Sequence, residues 1–314
     1  MTDDALAAGV ARRDLLKGLA AGLPMVAAAI SPAWAATPAP ARPAAADLPR
    51  KDAVPLSDRR LLEAFVRLRG SADGSITAGW LDSQRYAVVD GEAYPLCRVL
   101  AGALSRFERK SETLFEATIL EVTHYVDLET GALLDTIRMP VSGRLVKVPP
   151  YRFGPVPVRF GVRHDEQESF SPKKEGKGSE NFAPQGTVRL QRSISDPHLS
   201  GEQLFVRHEE HGSLTPASSD VRPVSYREWT IWRGPAAVAL DPLAAWCPCE
   251  NSYTAMTSWR PWMQMDDHPG NTLDTGRGGK ARRFLDLPQD YLALTERVHP
   301  DVIRDPEAAL LGKR

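Results

Sequence analysis

The chain has 314 residues, with 39 Lys and Arg against 40 Asp and Glu and a net charge of −1. That balance excludes the basic surface expected of a nucleic-acid binder or of a protein held to an anionic membrane. Three cysteines, an odd number, exclude a disulfide framework, and the length suits one large domain or two small ones.

Residues 1–35 read as a twin-arginine signal peptide. Arg12-Arg13-Asp14-Leu15-Leu16-Lys17 precedes an apolar run from Leu19 to Ile30, and Ala33-Trp34-Ala35 offers a small-x-small cleavage site ending at Ala35. The run is shorter than the roughly 20 apolar residues that a membrane span needs. Gly22 and Pro24 weaken its hydrophobicity, which suits the twin-arginine route. Ala11 and Leu15 stand where the consensus has Ser or Thr and Phe. The partner implied is the twin-arginine translocase, which delivers folded cargo to the periplasm; an uncleaved leader would instead act as an anchor. No later run is long and apolar enough to span a membrane.

Residues 36–55 are rich in Ala and Pro and read as an extended tether. A single β-rich domain is expected over 56–314. Ser57 is placed to cap a helix over Asp58–Arg69, with Leu61, Leu62, Phe65, Val66 and Leu68 on one face and Gly70 as the stop. From Gly79 to about Arg233 the pattern changes to strands. Residues 86–89 and 92–96 flank Asp90-Gly91, a tight-hairpin signal, and Pro95 predicts an edge or short second arm. Leu114–Val126, residues 132–138 and residues 144–148 read as a three-strand meander. Further strands are expected at 156–163, 187–193, 203–209 and 221–232. Polar loops are expected at 165–186 and 210–220. A strand pair is expected over 253–265 and a terminal helix over 288–298.

Many short strands with helices near the N- and C-termini predict a mainly β fold, an antiparallel meander closing into a barrel-like or sandwich core. A barrel is preferred because it closes its own edges. In Leu114–Val126, Phe115, Ala117 and Ile119 share a face with Glu121, Thr123 and Tyr125. Either a bulge near Leu120 switches the faces or polar side chains project into a cavity.

Three blocks resemble the family called domain of unknown function 1838. The first is Tyr125-Val126-Asp127 with Thr130-Gly131, Leu134, Pro140 and Ser142-Gly143. The second is Ser258-Trp259-Arg260-Pro261-Trp262-Met263-Gln264-Met265 with Pro269-Gly270 and Gly279-Lys280. The third is Asp286-Leu287-Pro288. The likeness runs from about residue 60 to the C-terminus. Met139 departs from the family's Asn, and Pro149-Pro150-Tyr151 replaces its Asn-Asp-Pro-Val segment. The resemblance implies homology and no particular activity, and no cofactor follows from it.

Trp259, Arg260, Trp262, Met263 and Met265 concentrate flat apolar rings, polarizable thioethers and one guanidinium, a set able to bind a small apolar or aromatic molecule; a core strand closed by an Arg260 salt bridge is the alternative. His208-Glu209-Glu210-His211 reads as a strand end and solvated turn, because i and i+3 on a strand point to opposite sides. Asp266-Asp267-His268 reads as a turn, and Cys247-Pro248-Cys249 lacks a second ligand pair for a metal. Gly276-Arg277-Gly278-Gly279-Lys280 lacks the phosphate-loop hydroxyl. For acid–base work the candidates are Glu121, His124, Tyr125, Asp127 and Glu250. Three functions are therefore carried forward: a small-molecule binder with a barrel cavity, an enzyme using a buried carboxylate with Tyr or His, and a structural or interaction module.

Overall fold

The computed structural model describes residues 53–170, 185–218, 222–265 and 267–312. The leader, the tether as far as residue 52, and positions 171–184 of the first polar loop lie outside the described residues, as do residues 219–221, at the end of the second expected loop, Asp266 and residues 313–314.

Helix α1 spans Asp58–Arg69, the bounds its capping residues predict. Ser57 accepts a hydrogen bond from the Arg60 N–H, and the Gly70 N–H closes on the Val66 carbonyl. Strands β1 (Thr77–Val89), β2 (Glu92–Ser111) and β3 (Leu114–Val126) follow, then the short β4 (Thr136–Arg138) and β5 (Leu145–Lys147). After them come β6 (Tyr151–Phe160), β7 (Arg163–Phe170), β8 (Gly186–Ser200), β9 (Gln203–Pro216) and β10 (Val224–Pro235). Helix α2 (Ala236–Ala239), β11 (Glu250–Ser258), β12 (Asn271–Ala281) and helices α3 (Gln289–Val298), α4 (Pro300–Arg304) and α5 (Pro306–Leu311) complete the chain.

Ten antiparallel strands pair in the order β6-β3-β2-β1-β12-β11-β10-β9-β8-β7 and nearly close into a barrel. The seam lies between β6 and β7, and the Ile194 N–H of β8 donates to the Val162 carbonyl in the turn that joins them, at 2.8 Å. β4 and β5 pair with each other in a separate two-stranded sheet, so the expected second and third strands of the first meander form a side hairpin instead.

Two further expectations are corrected. Pro95 does not make β2 an edge or a short arm; β2 is 20 residues long and lies between β1 and β3. Pro95 is accommodated at a register shift opposite Tyr86, where a missing N–H is tolerated. The loop expected from Glu210 is strand as far as Pro216, because β9 finds partners on both sides, β8 and β10.

The faces of β3 do not switch. The irregularity beside Ile119 and Glu121 is an extra residue in β6, at Gly154-Pro155. Glu121, Thr123 and Tyr125 therefore stay on the inward face with Phe115 and Ala117, while Leu120, Val122 and Val126 pack outward against Tyr291, Leu292, Val302 and Leu310.

α1 closes one end of the barrel. Leu62, Phe65, Val66 and Leu68, all at 0% exposure, pack on Phe115, Phe160, Val206 and Trp232, each contributing about 1.5–3 kcal/mol by leaving water. Lys280 of β12 secures the helix by donating to the carbonyls of Arg67 and Gly70, where a cation also opposes the helix dipole. At the other end, Val99 and Tyr125 pack with Val146 and Val148 of the hairpin region and with Trp259, Trp262, Met263 and Met265.

Candidate functional site

The barrel encloses a cavity of about 480 Å³, a size suited to a small organic molecule. Its chemistry follows from strand register. Because alternate residues face inward, β8, β9 and β10 contribute matched rows. Ile194, His208 and Thr230 form one row; Arg192, Glu210 and Glu228 form the next; Leu190, Gly212 and Tyr226 form a third; Val188, Leu214 and Val224 form a fourth. The second row continues through Ala255 of β11 and Asp274 of β12 to Arg85 of β1. A charged belt thus circles much of the barrel between the apolar α1 end and the Val188–Leu214–Val224 row.

Most charges in the belt are paired. Arg85 meets Asp274 through two hydrogen bonds of 2.7 and 2.8 Å, and its guanidinium lies 5.1 Å from the centre of the Tyr125 ring. Arg192 donates to both Glu210 and Glu166, and the Tyr226 hydroxyl donates to Glu210. Burial works to raise Glu210, but Arg192, His208 and Tyr226 outweigh it and its carboxyl is lowered. Glu228 differs. It faces Glu210 directly across the strand pair, no cation comes within 4 Å of it among the described residues, and it accepts hydrogen bonds only from Tyr253 (3.3 Å) and Thr230 (3.4 Å). Burial, and then the Glu210 charge, push the Glu228 carboxyl up to about 7. Glu121 is also raised by burial, against a hydrogen bond of 3.0 Å from Thr123.

Arg69, the last residue of α1, reaches the same cavity. Its guanidinium lies 5.2 Å from the Phe160 ring centre and 5.4 Å from that of Trp232, and no carboxylate comes within 4 Å of it among the described residues. His208 lies beside the Phe65 and Phe160 rings at 5.2 and 5.9 Å. Neither of its ring nitrogens has a partner among the described residues. Burial, with Arg69 nearby, lowers it to about 3, so it is neutral.

The sequence-derived candidates are divided by this geometry. Glu121 and Tyr125 line the cavity together. His124 faces outward, its Nε2 2.8 Å from Thr295 Oγ1. Asp127 holds a turn by accepting from the N–H groups of Glu129 and Thr130. Glu250 is exposed and pairs with Arg233. Of the aromatic segment, Arg260 lines the cavity. Trp259, Trp262, Met263 and Met265 are core, because β11 ends at Ser258 and Pro261–Met263 forms a 3-10 turn with Gln264 left-handed, so strand alternation does not apply. The Trp259 indole donates to the His268 carbonyl at 3.1 Å, and the Trp262 ring packs 5.8 Å from Tyr125.

Arg69, Arg85, Arg192, Tyr226, Glu228, Tyr253 and Asp274 were not singled out by sequence, and His208 and Glu210, read there as a strand end and solvated turn, lie on an inward strand face and line the cavity. A usable signal existed: His208 and Glu210 continue the alternation set by Leu204 and Val206, and Tyr226 and Glu228 that of Thr230 and Trp232. Among the described residues no three His, Cys, Asp or Glu side chains are grouped to hold a metal ion, and no helix is long and apolar enough to cross a membrane. No family model matches the chain, and no curated protein matches it.

Proposed function

We propose that the barrel is the site of an enzyme that acts on a small molecule by proton transfer, with Glu228 as the acid–base group. The observation that carries this reading is a cavity-lining carboxyl without an ion pair among the described residues, set directly opposite a second carboxylate that has one. Such a pair divides into one ionised and one proton-holding member, and a carboxyl poised near neutral pH can both take and return a proton. Tyr253 positions Glu228 through its hydroxyl. Tyr125 and Glu121 supply further hydrogen-bonding groups on the opposite wall. The purely apolar binder expected from the Trp-Met segment is less well supported, because those side chains pack with one another at the end of the barrel.

The test is deuterium wash-in. The purified chain is incubated in D2O with a panel of small ketones and keto acids and followed by proton NMR. At least one panel member is expected to lose a C–H signal, and E228Q is expected to slow that loss by about 10²-fold or more. Equal rates for wild type and E228Q would remove Glu228 from the chemistry, and a panel left untouched would remove the enzyme reading in favour of a carrier.

We also propose export by the twin-arginine route to the periplasm, supported by Arg12-Arg13 and by Ala33-Trp34-Ala35. Fractionation should find the chain clipped after Ala35 in the periplasm and retained, unclipped, in the cytosol when both arginines become lysine. Unchanged export of that variant would refute the route.

A further inference from the structure

Within the cavity the charges are not evenly satisfied. Asp274 has Arg85, and Glu210 has Arg192 and Tyr226. Glu121 and Glu228 are cavity carboxyls that burial holds above the ordinary carboxylate range. Arg69 lines the cavity with no carboxylate within 4 Å among the described residues. A guanidinium keeps its charge in any protein environment, and holding that charge half-buried in a cavity without a hydrogen-bonding counter-ion carries a desolvation cost. The rings of Phe160 and Trp232 offset part of the cost but accept no N–H···O bond. The attractions that reach Arg69 come from Glu228, Glu210 and Glu121 at longer range. His208, nine-tenths buried on the adjoining wall, adds two ring nitrogens with no partner among the described residues; being neutral, it leaves Arg69 as the positive centre at this end.

The inward rows give the rest of the ligand its place. On β8, β9 and β10 the sequence from the α1 end is apolar, then polar, then the Val188–Leu214–Val224 row, and Val156 and Val158 of β6 line the cavity as well. A molecule with its head at Arg69 would therefore pass the Glu228 carboxyl and lay its remainder on an apolar surface.

We propose that the occupant is a small organic anion, a carboxylate with an apolar body, whose head is held by Arg69 in a planar two-bond pairing. This rests on the reading of the cavity as the small-molecule site and names the class of compound it takes. A planar guanidinium matches a carboxylate through two parallel hydrogen bonds. Placing the head there sets the carbon chain beside Glu228, where the proton transfer proposed above would act.

The experiment compares matched probes by calorimetry on the purified chain: octanoate and phenylacetate against 1-octanol and 2-phenylethanol, with octylamine as the cationic control. For the wild type, each carboxylate should bind at least tenfold more tightly than its alcohol. In R69Q that preference should vanish, and in R69K it should persist in weakened form. The wild-type comparison needs no variant, so poor folding of R69Q would not remove the test. Carboxylate and alcohol binding equally well, octylamine binding best, or an R69Q variant that keeps the preference would each overturn the anion assignment. The first of these would leave the cavity reading standing. A wild type that binds none of the probes would overturn the anion assignment and the cavity reading together.

Discussion

Glu210 and Glu228 sit directly opposite each other on adjacent strands, and of the two only Glu210 has an arginine within ion-pair distance among the described residues. Like charges at facing positions destabilise a strand pair, so the arrangement holds a proton on Glu228 through much of the neutral range. The folded-state carboxyl, at about 7, lies above the ordinary value of 4.5. Between those values the folded chain binds more protons at this group than the unfolded chain does. Its contribution to stability is then present at pH 4.5 and is lost as the pH rises to 7. Urea unfolding from pH 4.5 to 8 should show E228Q gaining on the wild type steadily up to about pH 7 and holding a constant advantage above it. A flat difference across that range would show that Glu228 titrates normally.

The Arg85–Asp274 pair is buried, with side-chain exposures of 12% and 4%. D274A should cost about 3–5 kcal/mol, because it strands a buried guanidinium, whereas R85M combined with D274L should cost far less. Chemical denaturation of the three proteins measures both. A double variant as damaged as D274A would mean that the pair does more than satisfy itself.

Gly212 leaves room for a ring. A Cβ there would stand 2.1 Å from Cε1 of Tyr226, so G212A must push the phenol away from Glu210. The expected loss is about 1–3 kcal/mol, with the Glu210 carboxyl losing a donor. Thermal unfolding compared with Y226F checks it: the two variants should share the loss of the hydroxyl contact, and G212A should be the less stable of the two.

Lys280 should matter for stability more than a strand-end lysine usually does. K280M removes the hydrogen bonds to the Arg67 and Gly70 carbonyls, worth about 1.5–3 kcal/mol each when the donor is charged. Hydrogen exchange should show the last turn of α1 opening before the rest of the helix in this variant.

Cys97, Cys247 and Cys249 are free thiols, all buried. Burial raises them to about 12, 11 and 12, so little reactive thiolate exists near neutrality. A thiol reagent at pH 8 should find none of the three in the native chain and all three after unfolding in guanidinium. Fewer than three after unfolding would indicate an oxidised pair.

Much of the architecture was legible in short-range pattern. α1 and β3 have the bounds that their capping residues and β-rich run indicate, and Asp90-Gly91 forms its tight turn with both residues at positive φ. The site was less legible because its members are far apart in sequence and meet only through register. Glu228 reaches Arg85 by way of β11 and β12, and no local spacing encodes that path. Arg69 looks like an ordinary basic residue at a helix end until α1 is seated in the barrel. The Trp259–Met265 segment misled because Pro261 turns the chain, so the alternation assumed for it never forms. His208 was placed at a strand end and Glu210 in a loop because the acidic and histidine run looked solvated, while the partners that extend β9 lie elsewhere in the chain.

The ammonium group of Lys280 ties the first helix among the described residues to the last barrel strand. A ribosome must therefore make nearly the whole polypeptide before that helix can be anchored, and a product that stops short of β12 has neither a fastened plug nor a wall between β1 and β11. Assembly is consequently late and cooperative, with pairings distant in sequence completed near the end of synthesis. Half-length fragments should be prey for proteases rather than smaller working units.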